Sequence, residues 1–499
     1  MGKLEWIVGR NLDLRYVVIG AGMSGILAAI RLREAGYRNV TLLEKAHTIG
    51  GTWRENRYPG LNCDVPAHAY TYSFAPNAEW SSYLAPGPEI QDYFEDVTDR
   101  FGLREVAHFG QEVDSCTYAD GVWTVTTKPG MTVEADVVIT ATGVLHHPRM
   151  PEIEGLGSFA GTVAHSARWD DAIALDGKRI GVVGSGSTGV QLVSALAARA
   201  GKLGHFQRSP QWIMPMPNTP YSEEQREAFR RDPALIDAVR YDPDYQANVL
   251  RFTAGIIKPD SEEMHIIETI VRDNLEQGVA DPVLRERLRP NYRAACKRLI
   301  FSPDYYQVVQ QHDVDIVIEG IERIEPQGIR TSDGVLHELD LIILATGFHA
   351  DRFIRPAVVT GRGGASLDDM WAKHATAYNA ISLPDFPNFF FLNGPTGPVG
   401  NFSLIDVAER QWGYIEQLLD KVTSGECDEI CVTPDAMARY DDARTEAAKG
   451  TIFASGCSSW YLGKDGVPMT WPWSYGHFAD VMAKPVFADF EMVKAEVAA

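Results

Sequence analysis

The sequence predicts an α/β protein with two parallel-sheet units, one inserted in the other, and a helical insertion in the inner unit. A β-branched strand followed by a glycine-rich turn and an apolar helix occurs twice, around Gly20-Ala-Gly22-Met-Ser-Gly25 and Gly184-Ser-Gly186-Ser-Thr-Gly189. A second pair of near copies, residues 136–143 and 340–347, ends in Ala-Thr-Gly. This duplication predicts two Rossmann-like units of three-layer ββα design.

The first unit has a dinucleotide-binding fingerprint at its start. Strand residues 15–20 lead into the fingerprint glycines Gly20, Gly22 and Gly25. The first glycine permits a tight turn, the second lets the backbone approach a pyrophosphate, and the third lets helix and strand pack closely. The following helix N-terminus attracts phosphate. The next strand ends at Glu44, whose carboxylate is placed to accept hydrogen bonds from ribose hydroxyls.

The second unit repeats this pattern with the opposite charge. Its fingerprint contains Gly184, Gly186, Ser187, Thr188 and Gly189, and its second strand ends in Arg208-Ser209. Arg208 follows Gly184 by 24 residues, as Glu44 follows Gly20. An acid binds a ribose 2′-hydroxyl, whereas a guanidinium pairs with a 2′-phosphate. The second unit is therefore predicted to bind NADPH.

The predicted domain boundaries follow from these repeats. Residues 1–148 form the first part of the outer unit, 149–338 form the NADPH unit, and 339–499 complete the outer unit and end in a lid loop. Residues 218–296 interrupt the α/β alternation with runs of helical spacing and acidic first turns, for example at Ser261-Glu-Glu-Met. They predict a helical insertion able to line a substrate cavity.

The composition excludes several classes of partner. The net charge is −21 and the pI about 5.1, which argues against nucleic acid and anionic membranes. No apolar run reaches the roughly 18 residues of a membrane span, and a cytoplasmic location is expected. The six cysteines form no Cys-x-x-Cys, so a disulfide reductase is disfavoured and free thiols are expected. No metal site is predicted.

Three further stretches of the sequence resemble motifs of a known protein family. They are Gly50-Gly51-Thr52-Trp53 with Arg57-Tyr58-Pro-Gly-Leu-Asn-Cys-Asp64, then Phe159-Ala-Gly161-Thr-Val-Ala-His165-Ser-Ala-Arg-Trp169-Asp170, and Lys297-Arg298. Together with the two fingerprints they resemble the type I Baeyer–Villiger monooxygenases, which belong to the class B flavoprotein monooxygenases. The resemblance extends from about residue 17 to residue 473.

The resemblance implies FAD in the outer unit and NADPH in the inner one. Gly51, Thr52, Trp53, Tyr58 and Asp64 would face FAD, while Ser209, Lys297 and Trp460 of the lid loop would contact NADP. It also implies that a C4a-peroxyflavin attacks a ketone to give an ester or lactone. Arg298 would stabilise the peroxy anion with Asp64 holding it in place, and the signature residues Phe159, Gly161, His165, Trp169 and Asp170 would couple NADPH position to the flavin.

Two other functions remain open from the sequence. The first is a flavin monooxygenase that oxidises amine nitrogen or sulfide sulfur, which the Trp169-Asp170 ending and Arg298 disfavour. The second is a redox-responsive protein that holds FAD and NADP only as ligands. The expected substrates are a small-molecule ketone and dioxygen, and nothing in the sequence specifies which ketone or the oligomeric state.

Overall fold

The computed structural model describes residues 10–398, 402–457, 459, 461–464 and 466–494. The first part of the chain forms one parallel and one antiparallel sheet with covering helices. The strands are β1 (Arg15–Ile19), β2 (Asn39–Leu43), β3 (Ala107–His108), β4 (Val113–Ala119), β5 (Val122–Thr127), β6 (Thr132–Ala135) and β7 (Val137–Thr140); the helices are α1 (Met23–Glu34), α2 (Thr52–Glu55) and α3 (Gly87–Arg100).

The middle part contains a second parallel sheet and a run of helices. Its strands are β8 (Thr162–His165), β9 (Arg179–Val183), β10 (Lys202–Phe206), β11 (Ile213–Pro215), β12 (Ile300–Ser302), β13 (Val314–Val317), β14 (Ile321–Glu325), β15 (Gly328–Thr331), β16 (Leu336–Glu338) and β17 (Leu341–Leu344). Its helices are α4 (Ser187–Leu196), α5 (Glu223–Arg231), α6 (Ala234–Arg240), α7 (Pro243–Ile257), α8 (Glu262–Gly278), α9 (Pro282–Arg287) and α10 (Tyr305–Val308).

Side-chain caps explain why the helices α5, α7, α8 and α9 begin where they do. The side chains of Ser222, Asp242, Ser261 and Asp281 each accept a hydrogen bond from a backbone N–H of the first turn. Such caps satisfy backbone donors that have no partner within the helix. These helices occupy the part of the chain in which the sequence predicts a helical insertion.

The last part of the chain adds a strand to the first parallel sheet. Its strands are β18 (Val358–Thr360), β19 (Phe389–Phe391), β20 (Glu429–Val432) and β21 (Phe490–Val493), and its helices are α11 (Leu367–Met370), α12 (Leu404–Thr423), α13 (Pro434–Lys449) and α14 (Tyr475–Ala483). In the described residues no helix is both long and apolar enough to cross a membrane.

The two parallel sheets confirm the predicted fold class. The first has the strand order β19-β7-β1-β2-β3 and the second β13-β10-β9-β17-β8. Both have the buried, β-branched central strands that helix-covered parallel sheets require. Because β19 lies after the second sheet in the chain and joins the first, the inner unit is inserted in the outer one.

One predicted boundary is wrong. Strand β17 lies beyond residue 338, yet it pairs in parallel with β9 and β8 of the second sheet. The NADPH-type unit therefore extends to about residue 345. The reason is that residues 340–347 copy residues 136–143, and each copy forms the strand that pairs directly with the fingerprint strand of its own unit.

The duplication also appears in a repeated ion pair at the start of each fingerprint strand. Asp136 accepts hydrogen bonds from the Arg15 backbone N–H and guanidinium, both at 2.7 Å. Asp340 accepts the same two bonds from Arg179, at 2.9 and 2.8 Å. Since guanidinium and carboxylate match in bidentate geometry, each pair fixes the register of two neighbouring strands. We call these the twin ion pairs.

The prediction of free thiols is wrong for one pair of cysteines. Cys296 and Cys457 form a disulfide across 161 residues of sequence, whereas Cys63, Cys116, Cys427 and Cys431 are free and buried. Spacing in the sequence carries no information on which cysteines meet in space. The bond joins the segment before Lys297 to the C-terminal part of the chain.

Candidate functional site

A cavity of about 1340 Å³ lies at the carboxyl ends of both parallel sheets. The residues that follow strands β1, β7, β9 and β17, namely Gly20, Thr142, Gly184 and Thr346, all line it. Open α/β sheets bind ligands at this edge. The volume exceeds the roughly 300–1,000 Å³ of a pocket for one small ligand, so the cavity has room for more than one cofactor.

The first fingerprint has the geometry that its glycines predict. Gly20 has a φ of +101°, and a Cβ there would approach the Ala141 carbonyl oxygen to 2.7 Å. A Cβ on Gly25 would collide with the Gly20 carbonyl oxygen, so helix α1 packs on β1 only with glycine at this position. Gly22 lines the cavity, and its backbone lies close to that of Gly51. The backbone is therefore open to a pyrophosphate at Gly22.

The second fingerprint repeats the same contacts. Gly184 has a φ of +123°, and a Cβ on Gly189 would collide with the Gly184 carbonyl oxygen. Gly186, Ser187 and Thr188 line the cavity at the N-terminus of α4. Backbone N–H groups at a helix start attract phosphate. Both units therefore present a phosphate-binding turn to one cavity.

Glu44 lies on the cavity wall at the end of β2 and is 4% exposed. Its carboxylate accepts hydrogen bonds from Ala21 N at 2.8 Å, Ala46 N at 2.9 Å and Arg54 Nη1 at 3.1 Å. A carboxylate has about four acceptor positions, so one remains for a ribose hydroxyl. The sequence did not indicate Arg54, because nothing in a local pattern shows that its side chain folds back onto Glu44.

The turn after β2 and the short helix α2 supply an aromatic side chain, Trp53, to the cavity wall. Gly51, Thr52 and Trp53 line the cavity, and the Trp53 indole N–H donates to the Tyr70 hydroxyl at 3.1 Å. The two rings meet edge to face with centroids 5.6 Å apart. This bond fixes the plane of Trp53, and a fixed aromatic plane suits a flat ring such as a flavin.

Arg208, Ser209 and Lys297 form a basic corner of the cavity. Lys297 Nζ donates to Ser209 Oγ at 3.2 Å and lies 4.2 Å above the Tyr292 ring. Burial lowers the pKa of Lys297, and the nearby Arg208 lowers it further. Within the described part of the chain Arg208 has no ion-pair partner. Two cations without an acid between them fit a phosphate group.

Asp64 and Arg298 form an ion pair on the cavity wall, joining residues 234 positions apart. The Asp64 carboxylate raises the pKa of Arg298 above its ordinary value, against the effect of burial. Arg298 Nε is buried and has no acceptor among the described residues. The guanidinium is thus a permanent cation, held by one carboxylate and with donor capacity to spare.

Tyr58 connects the two units. Its hydroxyl donates to Gln191 Oε1 at 2.8 Å, and Gln191 Nε2 donates to the Asn62 carbonyl at 2.9 Å. Tyr58 and Gln191 both line the cavity. Gln191 lies on α4 of the inner unit, so this bridge ties the Asp64 loop to the second fingerprint. The sequence placed Tyr58 near FAD but gave no sign of Gln191.

The signature residues lie on or beside elements of the inner unit and are not among the residues that line the cavity. His165 ends β8 beside β17, and its Nδ1 accepts a hydrogen bond from Ala167 N at 3.1 Å. Trp169 packs on the core of the inner unit, and Asp170 caps a turn through Ala172 N at 2.9 Å. Phe159 and Gly161 contact each other beside Asp340. This placement keeps the five residues out of direct contact with a ligand in the cavity.

Trp460 of the predicted lid lies outside the described residues. No group of three or more His, Cys, Asp or Glu side chains in the described residues could hold a metal ion. The neighbouring Ser459, Tyr461 and Met469 are described and do line the cavity.

Comparison with known proteins places the chain in a family. Residues 17–222 match the family model described as pyridine nucleotide-disulphide oxidoreductase. An uncharacterized monooxygenase of Mycobacterium tuberculosis is 45% identical over 459 residues, covering 92% of both chains. A Baeyer-Villiger monooxygenase of Streptomyces coelicolor is 35% identical, covering 96% of this chain and 93% of its own.

A solved structure agrees with these relatives. Cyclohexanone monooxygenase from a Rhodococcus species, bound to NADP+, matches with a TM-score of 0.86 and 31% identity. The match covers 97% of this chain and 99% of that one. Sequence relatives and fold therefore agree over nearly the full length, and the chain belongs to the Baeyer–Villiger monooxygenase family of flavoprotein monooxygenases.

Proposed function

We propose that this enzyme uses FAD and NADPH to insert one oxygen atom of dioxygen next to a ketone carbonyl. One ketone, one dioxygen, one NADPH and one proton give an ester or lactone, NADP+ and water. The observation that carries the proposal is the Asp64–Arg298 ion pair in the cavity that both fingerprints line. When bound, FAD and NADPH supply hydride transfer and the activation of dioxygen.

Arg298 accounts for the preference for a ketone. A carbonyl carbon is an electrophile, so the attacking oxygen must be anionic, whereas amines and sulfides are nucleophiles and need a protonated oxidant. A guanidinium keeps its charge at neutral pH and favours the anion. The same guanidinium then stabilises the negative charge that develops on the carbonyl oxygen. Asp64 holds the guanidinium in place, which leaves no rearrangement to be made during the reaction.

The residues present fit both cofactors. Glu44 keeps an acceptor position for a ribose of FAD, Trp53 offers a fixed aromatic plane, and Gly22 leaves room for a pyrophosphate. Arg208 and Lys297 fit the 2′-phosphate of NADPH. The tie between Tyr58 and Gln191 fixes how these two sets of residues face each other.

The test compares the purified holoenzyme with Arg298→Ala. Cyclohexanone, acetophenone and progesterone serve as ketones, and thioanisole and N,N-dimethylaniline as heteroatom substrates, with products identified by mass spectrometry. We expect the wild type to form an ester or lactone from at least one ketone. In Arg298→Ala, anaerobic flavin reduction by NADPH should persist, while ester formation falls by about two to three orders of magnitude.

The control is Arg293→Ala, which removes a guanidinium from the same segment but one whose partners, Glu268 and Asp260, lie outside the cavity. It should keep near wild-type ketone conversion. A wild type that oxidises only the sulfide or the amine would assign the enzyme to the heteroatom oxidisers. Ketone conversion by Arg298→Ala at near wild-type rate would contradict the role of Arg298.

A further inference from the structure

Tyr292 lies in the segment that ends in Lys297 and contacts both that lysine and the residues that follow strand β10. Lys297 Nζ lies 4.2 Å from the centroid of the Tyr292 ring. Lys297 lines the cofactor cavity, whereas Tyr292 is not among the lining residues. The ring can therefore act on a ligand in the cavity only through Lys297.

Hydrogen bonds at both ends of Tyr292 fix the plane of its ring. The hydroxyl shares its proton between the Pro210 carbonyl oxygen at 2.9 Å and Gln211 Oε1 at 2.7 Å. Burial raises the pKa of Tyr292, so the hydroxyl keeps the proton that these contacts need. The Tyr292 backbone carbonyl accepts a hydrogen bond from the Trp212 indole N–H at 2.7 Å. The ring face beneath Lys297 is thus held in one orientation.

The same contacts lead back to the second fingerprint. Gln211 Nε2 donates to Ser185 Oγ at 3.3 Å, and Ser185 Oγ donates to the Ser209 carbonyl at 2.8 Å. Lys297 Nζ donates to Ser209 Oγ at 3.2 Å. The fingerprint turn, the residues after β10 and the segment that ends in Lys297 therefore form one hydrogen-bonded unit. The ammonium has a fixed place in it, close enough to Arg208 for the two charges to interact.

An aromatic ring positions a cation without cancelling its charge. The negative face of the ring attracts an ammonium, but the ring itself carries no net charge. The first unit shows the alternative, because its Glu44 carboxylate pairs with Arg54 and the two charges offset each other. In the described residues no carboxylate forms an ion pair with Lys297 or Arg208. The basic corner therefore presents two positive charges to an anion in the cavity.

The Lys297 ammonium also keeps a hydrogen-bond donor for such an anion. An ammonium has three N–H donors. One is used by Ser209 and the Tyr292 ring covers a second side, which leaves a donor for a phosphate oxygen. A lysine loses much side-chain freedom when a ligand fixes it, and one that is already held loses less. Tyr292 thus prepares Lys297 for an anion before the anion binds.

We propose that Tyr292 is a positioning residue that sets the preference for NADPH over NADH, because it holds Lys297 ready for the 2′-phosphate. This assignment rests on the proposed binding of that phosphate at the basic corner. NADH lacks the phosphate, so the ring should make no difference to its binding. Loss of the cation–π contact should weaken the binding of the phosphate-bearing cofactor by roughly 2- to 30-fold.

The first test titrates the FAD-loaded enzyme with NADP+ and NAD+, and with 2′,5′-ADP and 5′-AMP, two fragments that differ only in the 2′-phosphate. Tyr292→Leu should weaken the binding of NADP+ and 2′,5′-ADP and leave NAD+ and 5′-AMP unchanged. The control is Tyr241→Leu, the same change at a ring that lies 5.7 Å from the Arg240 guanidinium and does not line the cavity. It should leave all four affinities unchanged.

The second test replaces Tyr292 by phenylalanine and by 4-fluoro-, 3,5-difluoro- and 3,4,5-trifluorophenylalanine. Fluorine draws electrons from the ring face and changes its size little, so the packing of the ring is kept throughout. The logarithm of the Kd for NADP+ should rise steadily with the number of fluorine atoms, while that for NAD+ stays flat. A ring that only fills space would give one Kd for the whole series.

The third test asks whether the ring acts through the lysine. Lys297→Met removes the charge and keeps an unbranched side chain of similar length. In that background Tyr292→Leu should cause no further loss of NADP+ affinity, because the two changes remove the same contact. Losses that add would show that Tyr292 does not act through Lys297.

The outcomes separate this inference from the proposed function. A wild type that binds NADP+ and NAD+ equally overturns the phosphate site at the basic corner and with it the role of Tyr292. A wild type that prefers NADP+, together with a flat fluorine series or an equal loss of both cofactors in Tyr292→Leu, overturns only the role of Tyr292. Ketone conversion enters none of these measurements, so a failure of the proposed ketone chemistry is seen separately.

Discussion

Glu44 and Arg208 occupy the same position in the two units and present opposite charges to one cavity. Each follows the second strand of its sheet, where the backbone directs a side chain toward a bound ribose. Glu44 pairs with Arg54, whereas Arg208 has no acidic partner in the described residues and lies near a second cation, Lys297. In the proposed function, the difference between the FAD site and the NADPH site is therefore carried by single side chains.

Arg208→Ala should weaken binding of NADPH and leave NADH nearly unaffected, because only NADPH carries the phosphate. A charge-assisted contact of this kind contributes about 1.5–3 kcal/mol, or roughly 10- to 150-fold in the Michaelis constant. Steady-state kinetics with both cofactors at a fixed ketone concentration measure the effect. An equal rise of both Michaelis constants would show that Arg208 does not contact the phosphate.

The position of a site residue could be predicted where a motif fixes it, and could not where folding brings distant side chains together. The positions of Glu44 and Arg208 follow from spacing alone. The Asp64–Arg298 pair followed from the family resemblance. Gln191 was not predictable, because its role exists only once α4 lies against the Asp64 loop.

At the scale of elements, the two fingerprint turns have the same backbone shape but leave different amounts of space for a Cβ at the second glycine. A Cβ added at Gly22 would lie 3.4 Å from Gly51 Cα, and one added at Gly186 would meet nothing within 4 Å. The protein itself therefore leaves room for a Cβ at either position. A bound pyrophosphate does not, since both positions face the cavity.

Gly22→Val should yield folded protein that lacks FAD, while the matched Gly186→Val should keep FAD and lose affinity for NADPH. Forcing extra atoms into a fitted contact costs about 1–3 kcal/mol, or roughly 5- to 150-fold in affinity. The flavin absorbance spectrum gives FAD content, and titration with NADP+ gives the second affinity. A Gly22→Val protein with a full complement of FAD would mean that the first fingerprint does not hold the flavin pyrophosphate.

The sequence indicated which elements exist better than it indicated where the units end. The insertion was recognisable because acidic first turns and cap residues are local signals. The boundary near residue 338 was wrong because β17 belongs to the inner sheet by long-range pairing with β9, which no local signal encodes.

At the scale of the whole molecule, one disulfide joins the middle of the chain to its C-terminal part. The disulfide joins Cys296, which precedes the basic corner, to Cys457. Closing a loop of 161 residues removes conformational entropy from the unfolded chain, by about 5 kcal/mol in the simplest treatment and typically less in practice. The sequence could not reveal this pairing, since cysteine connectivity is a property of the fold.

Reduction should therefore lower the melting temperature of the wild-type holoenzyme by a few degrees. The double variant Cys296→Ser/Cys457→Ser should melt at the lower temperature whether or not reductant is present. Cys427→Ser, at a buried free thiol, should respond to reductant as the wild type does. Alkylation of Cys296 and Cys457 in the non-reduced protein, detected by mass spectrometry, would contradict the link.

The twin ion pairs have a consequence for how this enzyme can be studied. Arg15 and Asp136 repeat as Arg179 and Asp340 in the same hydrogen-bonding pattern. The fingerprint strand of each unit is therefore aligned with its neighbour in the same way, within a single polypeptide. The fingerprint glycines and the residues after the second strand in one nucleotide site then have counterparts in the other, exposed to the same temperature, pH and protein concentration. A substitution at one site can be judged against its equivalent in the same molecule, so the enzyme carries its own internal reference.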